Sequence, residues 1–188
     1  PHAAKLWETS LTTLASDTDA GQRLGILTRL AAAYQHLRMH REVFKTLTQA
    51  LSLAEQTQDA LQSALVLSQF SDAWLTVGDK AEAETRANDS VANARKAKDP
   101  KVLAMALNSQ GNVRAIQGNY PEAITAYQES LQLLQPTEEQ ALAVKVSLNR
   151  VKVDLNYSPL PEVRTALMAA GEQIRKLPDN HDKAASFI

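Results

Sequence analysis

Small and apolar residues recur along the chain every 40 residues, within stretches that have helical periodicity. One position is small in every unit and reads Ala50, Ser90, Ser130 and Ala170. The residues seven and three positions earlier lie on the same helical face and are apolar or small. They are Val43 and Leu47, Ala83 and Ala87, Ala123 and Tyr127, then Val163 and Leu167. A period of this size indicates a helical-repeat array, in which each unit buries its apolar face by stacking on the next.

The period predicts four complete units of two helices each, at residues 20–58, 60–98, 100–136 and 137–178. Residues 1–17 are predicted to form the second helix of an earlier unit, because their apolar residues precede those of the first complete unit by the same 40 positions. Residues 180–188 are predicted to begin a further unit. We therefore expect a single array that has been excised from a larger protein.

Polar residues mark the predicted helix starts. An aspartate precedes a first helix at Asp19, Asp59, Asp99 and Asp179, where a carboxylate accepts from free backbone N–H groups. Three pairs have the three-residue spacing of a capping box, namely Asp19 with Gln22, Asp59 with Gln62 and Thr137 with Gln140. The second helices are predicted to start near Glu42, Glu82, Glu122 and Glu162. We interpret these glutamates as favouring the helix dipole rather than as a functional ladder.

The aromatic residues Tyr34, Phe70, Trp74 and Tyr127 fall on helical faces that are predicted to pack inside or between units. The fourth unit departs from the pattern. It has Val151 at a position that favours Gly or Ala, Ser147 at a position where Leu is expected, and a turn at 158–161 that contains two prolines. We therefore expect a different helix angle in that unit.

Residues 104–136 resemble one tetratricopeptide repeat. The matching residues are Gly111, Gly118, Asn119, Tyr120, Ala123, Tyr127, Ser130 and Pro136. The 40-residue unit is similar to the longer repeats of kinesin light chains, of spindle-orientation adaptors and of bacterial arrays that precede a caspase-like CHAT peptidase domain. This resemblance implies an all-α fold, a right-handed α-solenoid of stacked antiparallel helix hairpins, in which the first helices line a concave groove.

The resemblance also implies a binding surface on those first helices, most polar in the third and fourth units. Its expected residues are Gln35, Ser68, Asp72, Met105, Asn108, Asn112, Ile116, Lys145, Asn149 and Lys152. Asparagine amides suit the backbone of an extended peptide because each offers a donor and an acceptor, and the lysines suit an acidic side chain. The alternative is that Asn108, Asn112 and Asn149 only bond between neighbouring helices or to water.

Some members of this family grip a terminal carboxylate with paired asparagines and several basic residues. Asn112 and Asn149 fall at the two asparagine positions, but Asn108 stands where a lysine is expected. The resemblance therefore does not extend to a chaperone-type carboxylate clamp.

Composition excludes several other functions. Lys and Arg number 20 against 21 Asp and Glu, so the chain lacks the basic field that holds a phosphate backbone, and we expect no nucleic-acid partner. No apolar run approaches the length of a membrane helix, so we expect no membrane partner. There is no cysteine, which leaves the compartment open, although we favour the cytoplasm.

Motifs for catalysis are missing, and we expect neither an enzyme nor a bound cofactor. His36 and His40 lie four residues apart, but no third ligand accompanies them, so no metal site is predicted.

Three functions remain open from the sequence. The first is an interaction scaffold that binds a peptide or a partner protein in the groove, and that regulates or recruits for a domain elsewhere in the parent protein. The second is a structural spacer that self-associates through open solenoid ends. The third is a peptide-sensing regulatory domain.

Overall fold

The computed structural model describes residues 2–13, 19–135, 139–157 and 159–177 as helices and short turns, with no strand among them. The helices are α1 (His2–Thr13), α2 (Ala20–His36), α3 (His40–Gln56), α4 (Ala60–Val77), α5 (Lys80–Ala97), α6 (Pro100–Gln117), α7 (Tyr120–Leu134), α8 (Gln140–Tyr157) and α9 (Leu160–Lys176). Two compact units contain them, unit 1 (Pro1–Lys98) and unit 2 (Asp99–Ile188). The expected caps Thr137 and Asp179, and the expected further unit at 180–188, lie outside the described residues.

Consecutive helices pair as hairpins within each unit. In unit 1, α2 packs on α3 and α4 packs on α5, while α1 packs on α2; in unit 2, α6 packs on α7 and α8 packs on α9. The short turns make paired helices antiparallel. The first helices also contact each other, α2 with α4 and α6 with α8. The predicted all-α class is confirmed.

The recurring small residue is buried between the two helices of a hairpin. Ala50, Ser90 and Ser130 are completely buried. Ser90 Oγ donates to the backbone oxygen of Ala64 at 2.8 Å, and Ser130 Oγ donates to that of Ala104 at 2.8 Å. A larger side chain here would push the helices apart and leave the buried backbone oxygen without this donor.

Gly111 and Tyr127 form a second close contact, in the hairpin of α6 and α7. The Tyr127 ring is 1% exposed, and a Cβ atom added at Gly111 would lie 2.5 Å from Tyr127 Cε1. The equivalent pair in the first hairpin is Ala31 with Leu47. The large Tyr127 side chain on α7 therefore fits because α6 has glycine, which lacks a side chain, at the facing position Gly111.

The turns repeat a left-handed backbone conformation at intervals of 20 residues, with positive φ at Arg38, Gln58, Gly78, Lys98 and Gly118. Gly78 and Gly118 end α4 and α6 with φ of 89° and 84°, a conformation that costs glycine little because it lacks Cβ. The other three positions adopt the same conformation with a side chain, at φ values between 53° and 57°.

Three of the predicted caps form hydrogen bonds at helix starts. Asp59 Oδ1 accepts from the backbone N–H of Gln62 at 3.0 Å, and Asp99 Oδ1 accepts from that of Val102 at 2.9 Å. Asp19 Oδ1 accepts from Gly21 at 3.3 Å, one residue earlier than the capping-box spacing predicts. These bonds satisfy N–H groups that have no partner inside the helix.

The predicted aromatic core is present in both units. Tyr34, Phe70 and Tyr127 are buried, while Trp74 is half-buried against the core of unit 1. Phe44 contacts two of the three unit 1 rings, with its centroid 4.4 Å from that of Trp74 and 6.2 Å from that of Phe70. These aromatic contacts tie α3 to α4, which belong to successive hairpins.

Tyr34 connects α2 to the amino-terminal helix. Its hydroxyl donates to Glu8 Oε1 on α1. Burial, followed by this hydrogen bond and the charges of Glu8 and Glu42, raises the pKa of Tyr34 to about 12. The neutral phenol is therefore favoured in the folded chain.

Replacement of Gly111 by alanine should destabilise unit 2 by about 1–3 kcal/mol, since the new methyl group overlaps the buried Tyr127 ring. Urea unfolding followed by circular dichroism measures this loss. Gly25→Ala in α2 is the control, because nothing lies within 4 Å of its added Cβ, and we expect it to be neutral or to stabilise by up to about 1 kcal/mol. Adding Tyr127→Leu should recover much of the loss; equal stability of Gly111→Ala and the wild type would contradict the contact.

Alkaline pH should weaken the folded state through Tyr34. Its pKa is about 12 in the folded chain against 10.0 for the free side chain, so this contribution is constant below pH 10 and is lost as the pH rises towards 12. The loss amounts to up to about 3 kcal/mol at 1.36 kcal/mol per pKa unit. The free energy of unfolding should fall more steeply over this range for the wild type than for Tyr34→Phe, and parallel curves would contradict the assignment.

Candidate functional site

Seven of the residues predicted to line a groove lie in two stripes on the first helices of unit 2. The α6 stripe is Met105, Asn108, Asn112 and Ile116, and the α8 stripe is Lys145, Asn149 and Lys152. Residues three and four apart share one face of a helix, which places each stripe on a single side. The two stripes meet at Asn108 and Asn149, because Asn149 Nδ2 donates to Asn108 Oδ1 at 3.0 Å.

The Asn108–Asn149 hydrogen bond joins the two first helices of unit 2. Asn108 is 4% exposed and Asn149 is half-buried. Neither amide forms another hydrogen bond within the described residues. The bond therefore stabilises the packing of α6 on α8. The amide nitrogen of Asn108 and the amide oxygen of Asn149 remain without a partner among the described residues.

Asn112 lies one turn further along the α6 stripe and is tied to its own hairpin. Its Oδ1 accepts from the hydroxyl of Tyr127 on α7 at 2.9 Å. This bond satisfies the hydroxyl of a nearly fully buried ring and leaves the Asn112 amide nitrogen as the group able to donate to a ligand.

The two lysines of the α8 stripe are exposed on either side of Asn149. Neither Lys145 nor Lys152 forms an ion pair with any residue that the structure describes. At the edges of the α6 stripe, Met105 is half-buried and Ile116 is 50% exposed. The surface thus combines two cations, partly engaged amides and apolar side chains.

In unit 1, the three predicted residues Gln35, Ser68 and Asp72 have different surroundings. Gln35 Nε2 on α2 donates to Thr76 Oγ1 on α4 at 2.8 Å, a bond between first helices like that of Asn149 to Asn108. Ser68 is 5% exposed, and its hydroxyl lies 2.8 Å from that of Ser90 on α5. Ser68 therefore faces its own hairpin, and we do not include it among the residues proposed to contact a ligand. Asp72 is half-buried on α4.

Sequence reasoning did not identify Thr76 as the partner of Gln35. Both bonds between first helices join residues 41 positions apart, which is one more than the period. A search for polar residues at this offset would have found the two pairs.

Among the described helices, none is long and apolar enough to cross a membrane. No three His, Asp or Glu side chains converge on a possible metal position in that part of the chain.

Solved structures share this architecture over most of the chain. A Rap protein complexed with competence and sporulation factor matches 92% of this chain and 48% of its own, with TM-score 0.83 and 14% identity. NprR in complex with its cognate peptide NprX matches 87% of this chain and 47% of its own, with TM-score 0.71 and 20% identity. A putative kinesin light chain from Podosopora anserina, with nearly identical TPR-like repeats, matches 93% and 86%, with TM-score 0.66 and 16% identity.

These likenesses define the fold as a tetratricopeptide-like α-solenoid of antiparallel helix hairpins, as the sequence predicted. The chain spans about half the length of the Rap and NprR chains. No protein-family model and no curated protein sequence matches it.

Loss of the Asn149 amide should destabilise unit 2, because Asn108 would remain buried without its partner. We expect Asn149→Ala to lower the free energy of unfolding by about 1–3 kcal/mol. Lys145→Ala, on the same stripe but exposed, should change it by less than about 0.5 kcal/mol. A cycle with Asn108→Ala, measured by urea unfolding, should give a coupling of about 0.5–1.5 kcal/mol. Strictly additive effects would show that the bond contributes nothing.

Proposed function

We propose that the chain is a protein-interaction scaffold whose α6 and α8 stripes bind an extended, acidic peptide segment of a partner protein. The observation that carries the proposal is the exposed pair Lys145 and Lys152, which lack acidic partners within the described residues and flank the Asn108–Asn149 hydrogen bond. Lysine ammonium groups attract carboxylates, and rim charges of this kind govern association rate and specificity.

Each group on the two stripes has a complementary part in such a peptide. The remaining amide groups of Asn108, Asn112 and Asn149 are suited to backbone N–H and C=O groups, since an amide side chain has the same donor and acceptor as a peptide bond. Ile116, which is half exposed, offers an apolar contact at the end of the α6 stripe. An extended segment satisfies these requirements because its backbone groups are unpaired.

The structural relatives support the proposal at the level of the fold. NprR, whose fold is similar over 87% of this chain, was solved in complex with its cognate peptide NprX, which supports a peptide as the kind of ligand proposed here.

Removal of the two lysine charges should reduce partner binding. We expect Lys145→Gln, Lys152→Gln to weaken capture of a partner from a lysate of the source cells, with bound proteins identified by mass spectrometry. The matched control, which also removes two positive charges, is Lys45→Gln, Lys96→Gln on the second helices α3 and α5, where both residues are exposed. Captured partners should then be reduced to binding segments, and their affinities measured by fluorescence anisotropy.

Binding through these charges should also weaken with salt, because exposed charges are screened over about 8–10 Å at 0.10–0.15 M ionic strength. A partner that binds both variants equally, with no salt dependence, would contradict the proposal and place the interface elsewhere. If no partner is captured and sedimentation shows concentration-dependent association of the chain with itself, the function as a spacer would be favoured instead.

A further inference from the structure

A groove with a volume of about 700 Å³ lies in unit 2 between the second helices α7 and α9, with α8 as its floor. Ser147 and Arg150 are among the α8 residues that line it. Each lies two positions from a member of the α8 stripe, Asn149 or Lys152, and two residues on a helix are separated by about 200°. The groove is therefore on the other side of α8 from the surface proposed above. Its volume is within the range typical of ligand sites, about 300–1,000 Å³.

The groove lies at Ser147, the position where the fourth unit has serine in place of the expected leucine. The equivalent residues of the other three units are Leu27, Leu67 and Leu107, which are 2%, 5% and 1% exposed. A serine fills much less space than a leucine, and the neighbouring groove residues Ala143, Ala166 and Ala169 are also small. The fourth hairpin thus has open volume where the others have buried leucine.

The groove walls carry unusually many glutamines. Gln128 and Gln132 lie one turn apart on α7, Gln135 directly follows that helix, and Gln140 begins α8. None of these four amides forms a hydrogen bond to another residue in the described ranges. Gln128, Gln132 and Gln135 therefore each offer a donor and an acceptor in the pattern of a peptide bond.

A hydrogen bond from Ser147 on the floor holds one further amide, that of Gln173 on the α9 wall. Ser147 is 8% exposed, and its hydroxyl donates to Gln173 Oε1 at 2.6 Å. The bond holds the Gln173 side chain and leaves its amide nitrogen as a donor. A positioned amide of this kind binds at a lower entropic cost than a freely rotating one.

The charges of the lining favour an acidic ligand. Glu139 is neutralised by Lys101, with Nζ and Oε1 2.6 Å apart, and Arg150 lies beside Asp154, with Nε and Oδ2 3.3 Å apart. Lys176 is exposed and has no carboxylate partner in the part of the chain that the structure describes. One cation therefore remains available at the α9 end of the groove.

From these features we propose that the groove between α7 and α9 is a second binding site, which holds a short extended peptide with an acidic residue next to Lys176. The floor from Gln140 to Arg150 is about 15 Å long at 1.5 Å per residue, which suits about four or five extended residues at 3.3 Å each. The glutamine amides bind its backbone, and Lys176 pairs with its carboxylate.

To test this site, a displayed library of short random peptides is selected for binding to the whole chain. The selected sequences are then made as labelled peptides, and their affinities are measured by fluorescence anisotropy. We expect a class of acidic peptides whose affinity falls at least roughly tenfold in Ser147→Leu, the equivalent of two or three lost hydrogen bonds. Ser147→Leu restores the leucine of the other units and should keep the melting temperature at or above that of the wild type, so lost binding is separated from misfolding.

Two further variants and one control complete the test. Ala169→Trp should block the exposed wall of the groove and also abolish binding, while Lys176→Glu should weaken acidic peptides and spare neutral ones. Lys145→Gln, Lys152→Gln on the opposite side of α8 should leave this class unaffected. The proposal is overturned if no peptide is selected, or if every selected peptide binds Ser147→Leu and Ala169→Trp as tightly as the wild type. Peptides sensitive only to the two lysine changes would overturn this site and support the α8 stripe.

Discussion

The close approach of two helix backbones is the constraint on which each hairpin depends. Where Ser90 and Ser130 cross the preceding first helix, each hydroxyl lies 2.8 Å from a backbone oxygen. Such a distance leaves room only for a small side chain, and it brings the rest of both helices close enough for their apolar faces to interlock. The size of Tyr127 is possible only because Gly111 has no side chain. Packing, rather than helix propensity, thus sets which residues are allowed at the repeated positions.

The fold was largely predictable from the sequence, because this constraint recurs at a fixed interval. The small residues, the aspartate caps at Asp59 and Asp99 and the buried aromatic rings all follow from local rules, and the structure has them where those rules place them. Asp19 differs by one residue in the N–H group that it caps, a choice that depends on the backbone angle at the helix entry rather than on residue spacing.

The candidate site was less predictable, since the same amide suits a ligand and a neighbouring helix equally well. Asn108, Asn112 and Asn149 were recognisable as a polar cluster, but only the structure shows that two of them bond to each other and the third to Tyr127. The orientation of Ser68 depends on its contact with Ser90, 22 residues away. Ser147 was visible as a departure from leucine, yet the resulting groove depends on the volumes of residues from three helices.

The left-handed turns set a further condition on how such a chain can change in length. Positive φ returns at every twentieth residue from Arg38 to Gly118, so each helix and its turn form a module of constant length. Insertion of a few residues inside a helix would rotate every later side chain about the helix axis by about 100° per residue and would turn its apolar face away from its neighbour. Gene duplication can therefore lengthen the array readily by complete hairpins, while small insertions are tolerated only in the turns, where they leave the phase of the following helix unchanged.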